Sequence, residues 1–147
     1  MKKLPHNECL VLQSSNLIFF DIDDTLILWD SYTPGRSTKI KKSKKTSLNP
    51  NLRGRLEIED PNIPGHYMSF IPHIAHCHIL MRNFQQGRTI VVWSAAGHAW
   101  AYTVIKALGL EKYVTLILDK PSIIVDDIPM EHWKPKTIYL KNDTEGV

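Results

Sequence analysis

The chain has 147 residues, a length that suits one domain burying about two thirds of its unfolded surface. Its 43% hydrophobic and 22% charged content is that of an ordinary globular protein. Two cysteines, Cys9 and Cys77, argue against a disulfide scaffold and fit a reducing, cytoplasmic setting. The net charge of +3 conceals an asymmetry: eight basic side chains and no acidic one lie between Ser31 and Leu56, and the rest carries ten basic against fifteen acidic groups.

The opening stretch MKKLPHNECLVLQSSNLIFF has no long apolar core, because Pro5, His6, Asn7 and Glu8 interrupt it. Neither a signal peptide nor a membrane span is expected there. Leu17–Phe20 is the first expected strand, and its unbroken apolar run implies cover on both faces. Residues 27–71 read as an insertion after that strand. They hold the basic run, with Lys41, Lys42, Lys44 and Lys45 at its centre, and a hairpin of RLEIED and HYMSFI joined through Pro61 to Gly65. The insertion has too few apolar positions to be a cap with its own core.

A helix is expected over roughly Pro72 to Gln86, with Ile74, Cys77, Ile79, Leu80, Met81 and Phe84 on its apolar side and Gly87 as its stop. His73, His76, Cys77 and His78 on this helix do not make a zinc site. Only His73 and His76 share a face, and no matching ligand pair follows. Next come a strand at Thr89–Trp93 and a helix over Gly97 to Leu108, with Trp100, Val104, Ile105 and Leu108 as its stripe. Further strands are expected at Thr115–Leu118, Ile123–Val125 and Thr137–Leu140. Strands alternating with helices imply a single α/β domain, a Rossmann-like doubly wound parallel sheet of about five strands. The hairpin and basic loop form a small insertion after strand one.

Polar groups punctuate the strand ends. Strand one closes on Asp21, strand two on Ser94, strand three on Asp119 and Lys120, and strand four on Asp126 and Asp127. In open α/β sheets, ligands bind beyond the carboxyl ends of the strands. Carboxylates are hard oxygen ligands for magnesium, while a hydroxyl and an ammonium hold phosphate oxygens. In the first of these ends, FFDIDDTL, three carboxylates fall within four positions, a crowding that costs free energy without a cation or a proton.

FFDIDDTL, IVVWSAAG, Lys120 in LDKPS, and IIVDDIP, in that order, resemble the four motifs of the haloacid dehalogenase-like superfamily of phosphohydrolases. The resemblance implies a capless or flap-only phosphatase working through an aspartyl-phosphate. Asp21 would be the nucleophile, and Asp23 the general acid and then the base, with a pKa raised by neighbouring carboxylates or partial burial. It also implies magnesium held by Asp21, the main-chain carbonyl of Asp23 and Asp126, with Asp127 acting through water. Ser94 and the amides of Ala95 and Ala96 would bind phosphate, and Lys120 would bridge phosphate and Asp21. Asp24 and Thr25 shape the turn. The link from Leu118 to Ile123 is short for a crossover between parallel strands, so strand three is expected to fray or the link to run extended.

An open site beside a cationic insertion favours a nucleotide or a nucleic-acid terminal phosphate as substrate, with Lys41, Lys42, Lys44 and Lys45 as contacts. Trp29, Tyr32, Tyr67 and Phe70 are candidates to stack on a base. A sugar phosphate or a phosphoprotein suits the same catalytic groups. A catalytically weak nucleic-acid-binding module is the alternative of a different class. A signalling receiver fits less well, because Lys120 precedes the acidic pair.

Overall fold

The computed structural model describes residues 16–29, 54–129 and 132. Among these residues, six strands and two α-helices follow one another as β1 (Leu17–Asp21), β2 (Ile27–Trp29), β3 (Leu56–Glu59), β4 (Tyr67–Pro72), α1 (Ile74–Gln85), β5 (Thr89–Ser94), α2 (His98–Ala107) and β6 (Leu116–Asp119). A single 3₁₀ turn, Glu111–Tyr113, precedes β6. No helix among the described residues is long and apolar enough to cross a membrane.

The strands form two sheets. β1, β5 and β6 make a parallel sheet in that order, with Phe19 opposite Val91 and Val92 opposite Ile117. β2, β4 and β3 make an antiparallel sheet in that order. The expected hairpin is therefore present as β3 and β4, with Glu57 opposite Ser69. Its turn is closed by the Asp60 and His66 main chains at 2.7 Å and by a bond from the Gly65 amide to the Glu59 carboxylate at 2.8 Å.

α2 buries the stripe its sequence predicts, and α1 does so in part: Phe84, expected on its apolar side, is exposed, while His76 and Asn83 are buried. α1 covers Cys77, Leu80 and Met81, and α2 covers Trp100, Ala101, Val104 and Ile105. They join Phe20, Ile90 and Val92 from the parallel sheet and Ile27 and Phe70 from the antiparallel one in a single cluster. Fully burying a side chain of this size contributes roughly 1.5–3 kcal/mol. The insertion thus shares the main core through Ile27, Phe70 and the half-buried Trp29 and Met68.

Three expectations need correction. Ile123–Val125 forms no strand: Ile123 is 80% and Val125 93% exposed, in an irregular segment after β6. The three residues between β6 and that run, Lys120 to Ser122, are too few to lead a chain back across the sheet, since they span at most about 11 Å. The parallel sheet consequently has three described strands, and Thr137–Leu140 lies outside the described residues. The third correction is β2, a strand of three residues that the sequence pattern does not announce. Ile27–Trp29 runs straight on from the Thr25-Leu26 turn and carries too few residues for a period to show. Lys41, Lys42, Lys44, Lys45 and Tyr32 also lie outside the described residues.

Candidate active site

The parallel strands deliver their last residues side by side. Asp21 is registered with Trp93, and Ser94 with Asp119. The next residue, Lys120, donates its amide to the Ser94 carbonyl at 2.9 Å, which fixes where its side chain starts. Its ammonium then reaches the Asp21 carboxylate at 3.2 Å and lies 5.9 Å from the centre of the Trp93 ring. Lys120 thus meets Asp21 from the residue directly after β6.

Beyond Asp21 the chain turns sharply. The amides of Thr25 and Leu26 both bond to the Ile22 carbonyl, at 3.2 and 2.9 Å. Asp24 takes the left-handed backbone region at φ 57°, which aspartate tolerates better than most residues. Asp24 is exposed and shapes the turn, as expected, while the buried Ile22 and Leu26 anchor it from beneath.

Asp23 sits over the start of α2. Its carboxylate accepts bonds from the Trp100 indole N–H at 3.1 Å and from the Ser94 hydroxyl at 3.3 Å. Its pKa is raised above the ordinary carboxylate value. Burial is the main cause, opposed by the Trp100 and Ser94 bonds and assisted by the charges of Asp21 and Asp24. Ser94 is fully buried, and its oxygen also accepts the Ala96 amide at 3.0 Å. Ala95 and Ala96 are exposed just beyond. Asp119 has a structural part instead. It accepts the His98 main-chain amide and the His98 ring nitrogen, capping α2. These bonds hold its carboxylate below its usual pKa.

The structure therefore brings Asp21, Asp23, Ser94 and Lys120 together. It does not bring Asp126 and Asp127 to them. Both are exposed in the irregular segment, and the Asp126 carboxylate accepts the Ile128 amide at 3.0 Å. Among the described residues no three acidic, histidine or cysteine groups are gathered to hold a metal ion. Two expected magnesium donors, Asp21 and the Asp23 carbonyl, belong to one strand end. The other two do not, so the strand end offers one carboxylate and one carbonyl to magnesium, an ion commonly held by one or two carboxylates plus water and substrate phosphate.

Compared with protein-family models, curated proteins and solved structures, the chain shows no match.

Sequence reasoning missed the bond from Trp100 to Asp23 and an open cleft of about 230 Å³ beside that carboxylate. The cleft is lined by Asp23, Trp29, Asp60, Asn62, Met68, Ala96 and Trp100. A signal for Trp100 did exist, since a buried indole needs a partner for its N–H. The histidines of α1 support the site from behind. His76 is fully buried, and its Nδ1 meets the Thr25 carbonyl at 2.6 Å, so Nδ1 carries the proton and donates it. His73 stacks on it at 3.3 Å.

Proposed function

We propose that the chain is a phosphomonoester hydrolase in which Asp21 is the nucleophile and Asp23 the proton carrier. The observation that carries this reading is the pairing of two carboxylates in opposite electrostatic settings. Asp21 lies against the Lys120 ammonium, and Asp23 lies in a partly buried seat that favours its protonated form. Carboxylates separated in this way can act as nucleophile and acid within one site. The parallel order of β1, β5 and β6, with functional groups at successive strand ends, supports membership of the haloacid dehalogenase-like superfamily and its Rossmann-like sheet.

In the first step an Asp21 oxygen attacks phosphorus while the bond to the leaving oxygen breaks, and the Asp23 carboxyl gives that oxygen its proton. In the second step Asp23, now ionised, takes a proton from water as the water oxygen attacks phosphorus. The acyl-phosphate bond breaks, returning the Asp21 carboxylate and inorganic phosphate. Ser94 and Trp100 aim Asp23 throughout, and Lys120 offsets charge on Asp21 and on the phosphoryl oxygens. We include a magnesium requirement, whose chemistry would be further charge neutralisation at Asp21.

Phosphate release from nucleotides, 3′- and 5′-phosphorylated oligonucleotides, sugar phosphates and a phosphopeptide tests the reading. Asp21→Asn should lower turnover by at least about 10³-fold, and Asp23→Asn by about 10²–10⁴-fold. Unchanged turnover in Asp21→Asn would sink the mechanism, and unchanged turnover in EDTA would remove magnesium from it. No turnover on any substrate, with salt-dependent oligonucleotide binding, would make the chain a binding module instead.

A further inference from the structure

The cleft beside Asp23 has a composition that bears on what leaves the phosphorus. One wall is aromatic and soft. Trp29 and Trp100 lie nearly parallel, 13° apart with ring centres at 5.6 Å, and Met68 adjoins them. The other wall is the hairpin turn, which contributes Asp60 and Asn62, with the Asp60 Oδ1 already accepting the Asn62 amide at 2.8 Å. Among the described residues lining the cleft there is no lysine, arginine or histidine, and the charged groups are the carboxylates of Asp23 and Asp60.

Position, size and charge each narrow the occupant. Asp23 lines the cleft, so the oxygen it protonates must carry a group that continues into this space. At about 230 Å³ the cleft is smaller than the ~300–1,000 Å³ of sites that enclose a drug-sized ligand, which leaves room for one ring system and its sugar. The half-buried Trp29 offers its indole to a flat ring, because every base has a π-face to stack, while Trp100 stacked against it is itself buried. The two carboxylates disfavour a second phosphate and favour N–H and O–H donors.

Resting on the phosphatase reading above, we infer that the cleft seats the leaving group of the phosphoester and selects an uncharged nucleoside, with no further phosphate attached. Trp29, Met68, Asp60 and Asn62 then bear on which monoester fits.

Calorimetric titration of the intact chain with adenosine, and separately with ribose, tests the seat without requiring turnover. Saturable binding of adenosine and none of ribose is expected. Asp60→Asn combined with Met68→Ala should weaken adenosine by about tenfold or more. Asp60→Asn alone, at the rim of the turn, supplies the comparison if the double variant does not fold. Adenosine that fails to bind, that binds the variants equally well, or that binds no better than ribose overturns the inference, whatever the phosphatase assays give. So does faster turnover of a 5′-phosphorylated dinucleotide than of adenosine monophosphate. Adenosine binding without phosphate release from any ester would instead uphold the seat and remove the hydrolase reading.

Discussion

A carboxyl group that must deliver a proton near neutrality needs a seat from which water is partly withdrawn. Asp23 has one, between the Trp100 indole and the Ser94 hydroxyl. Lys120 serves its neighbour, and Lys120→Met should lower kcat/KM by about 10²–10³-fold, the scale of losing one preorganised charge stabiliser. His73 gives a prediction about stability. Its Nδ1 accepts the His76 amide at 3.4 Å, and burial, with the adjacent His76, lowers its pKa from 6.5 to about 4. The folded chain thus refuses a proton that the unfolded chain accepts below pH 6.5. Stability should fall as pH drops from 6.5 to 4, by on the order of 3 kcal/mol from this group, and level off below. His73→Asn keeps an acceptor at the helix cap and removes the titration. Urea denaturation across that window should show a smaller loss for the variant than for the parent.

At the scale of elements, the join between β5 and α2 decides whether the site assembles. Gly97 sits there at φ 100° and ψ 162°, a conformation essentially reserved for glycine, with the Asp119 carboxylate 3.5 Å from where a side chain would start. Gly97→Ala should cost about 1–3 kcal/mol in chemical denaturation. It should also displace Ser94 and Trp100, and so lower turnover at a pH where the variant is still folded. Both helices, the hairpin and the first three parallel strands were legible in the sequence because each has a period or an apolar run long enough to stand out. Ile123–Val125 was misread for the same reason in reverse: three apolar residues resemble a buried strand, yet nothing pairs with them among the described residues. Asp21, Asp23, Ser94 and Lys120 were legible as strand-end groups. The cleft was not, since Trp29, the hairpin residues Asp60 and Met68, and Trp100 come from three distant places and meet only through the packing of the antiparallel sheet against α2.

For the whole molecule, the proposed function assigns the charge asymmetry to the attraction of anions. Replacing Lys41, Lys42, Lys44 and Lys45 by glutamine removes half of the eight positive charges between Ser31 and Leu56. Oligonucleotide affinity measured across a salt series should fall and its salt slope should flatten, while turnover of methyl phosphate stays within about twofold of the parent. The His76 bond to the Thr25 carbonyl joins residues 51 positions apart, and it couples the turn that carries Asp23 to the first turn of α1. The Leu26 amide, held by Ile22, and the Cys77 amide, held by His73, then belong to one cooperative opening unit. In native-state hydrogen exchange the two should report a common opening free energy, and His76→Phe should lower both together.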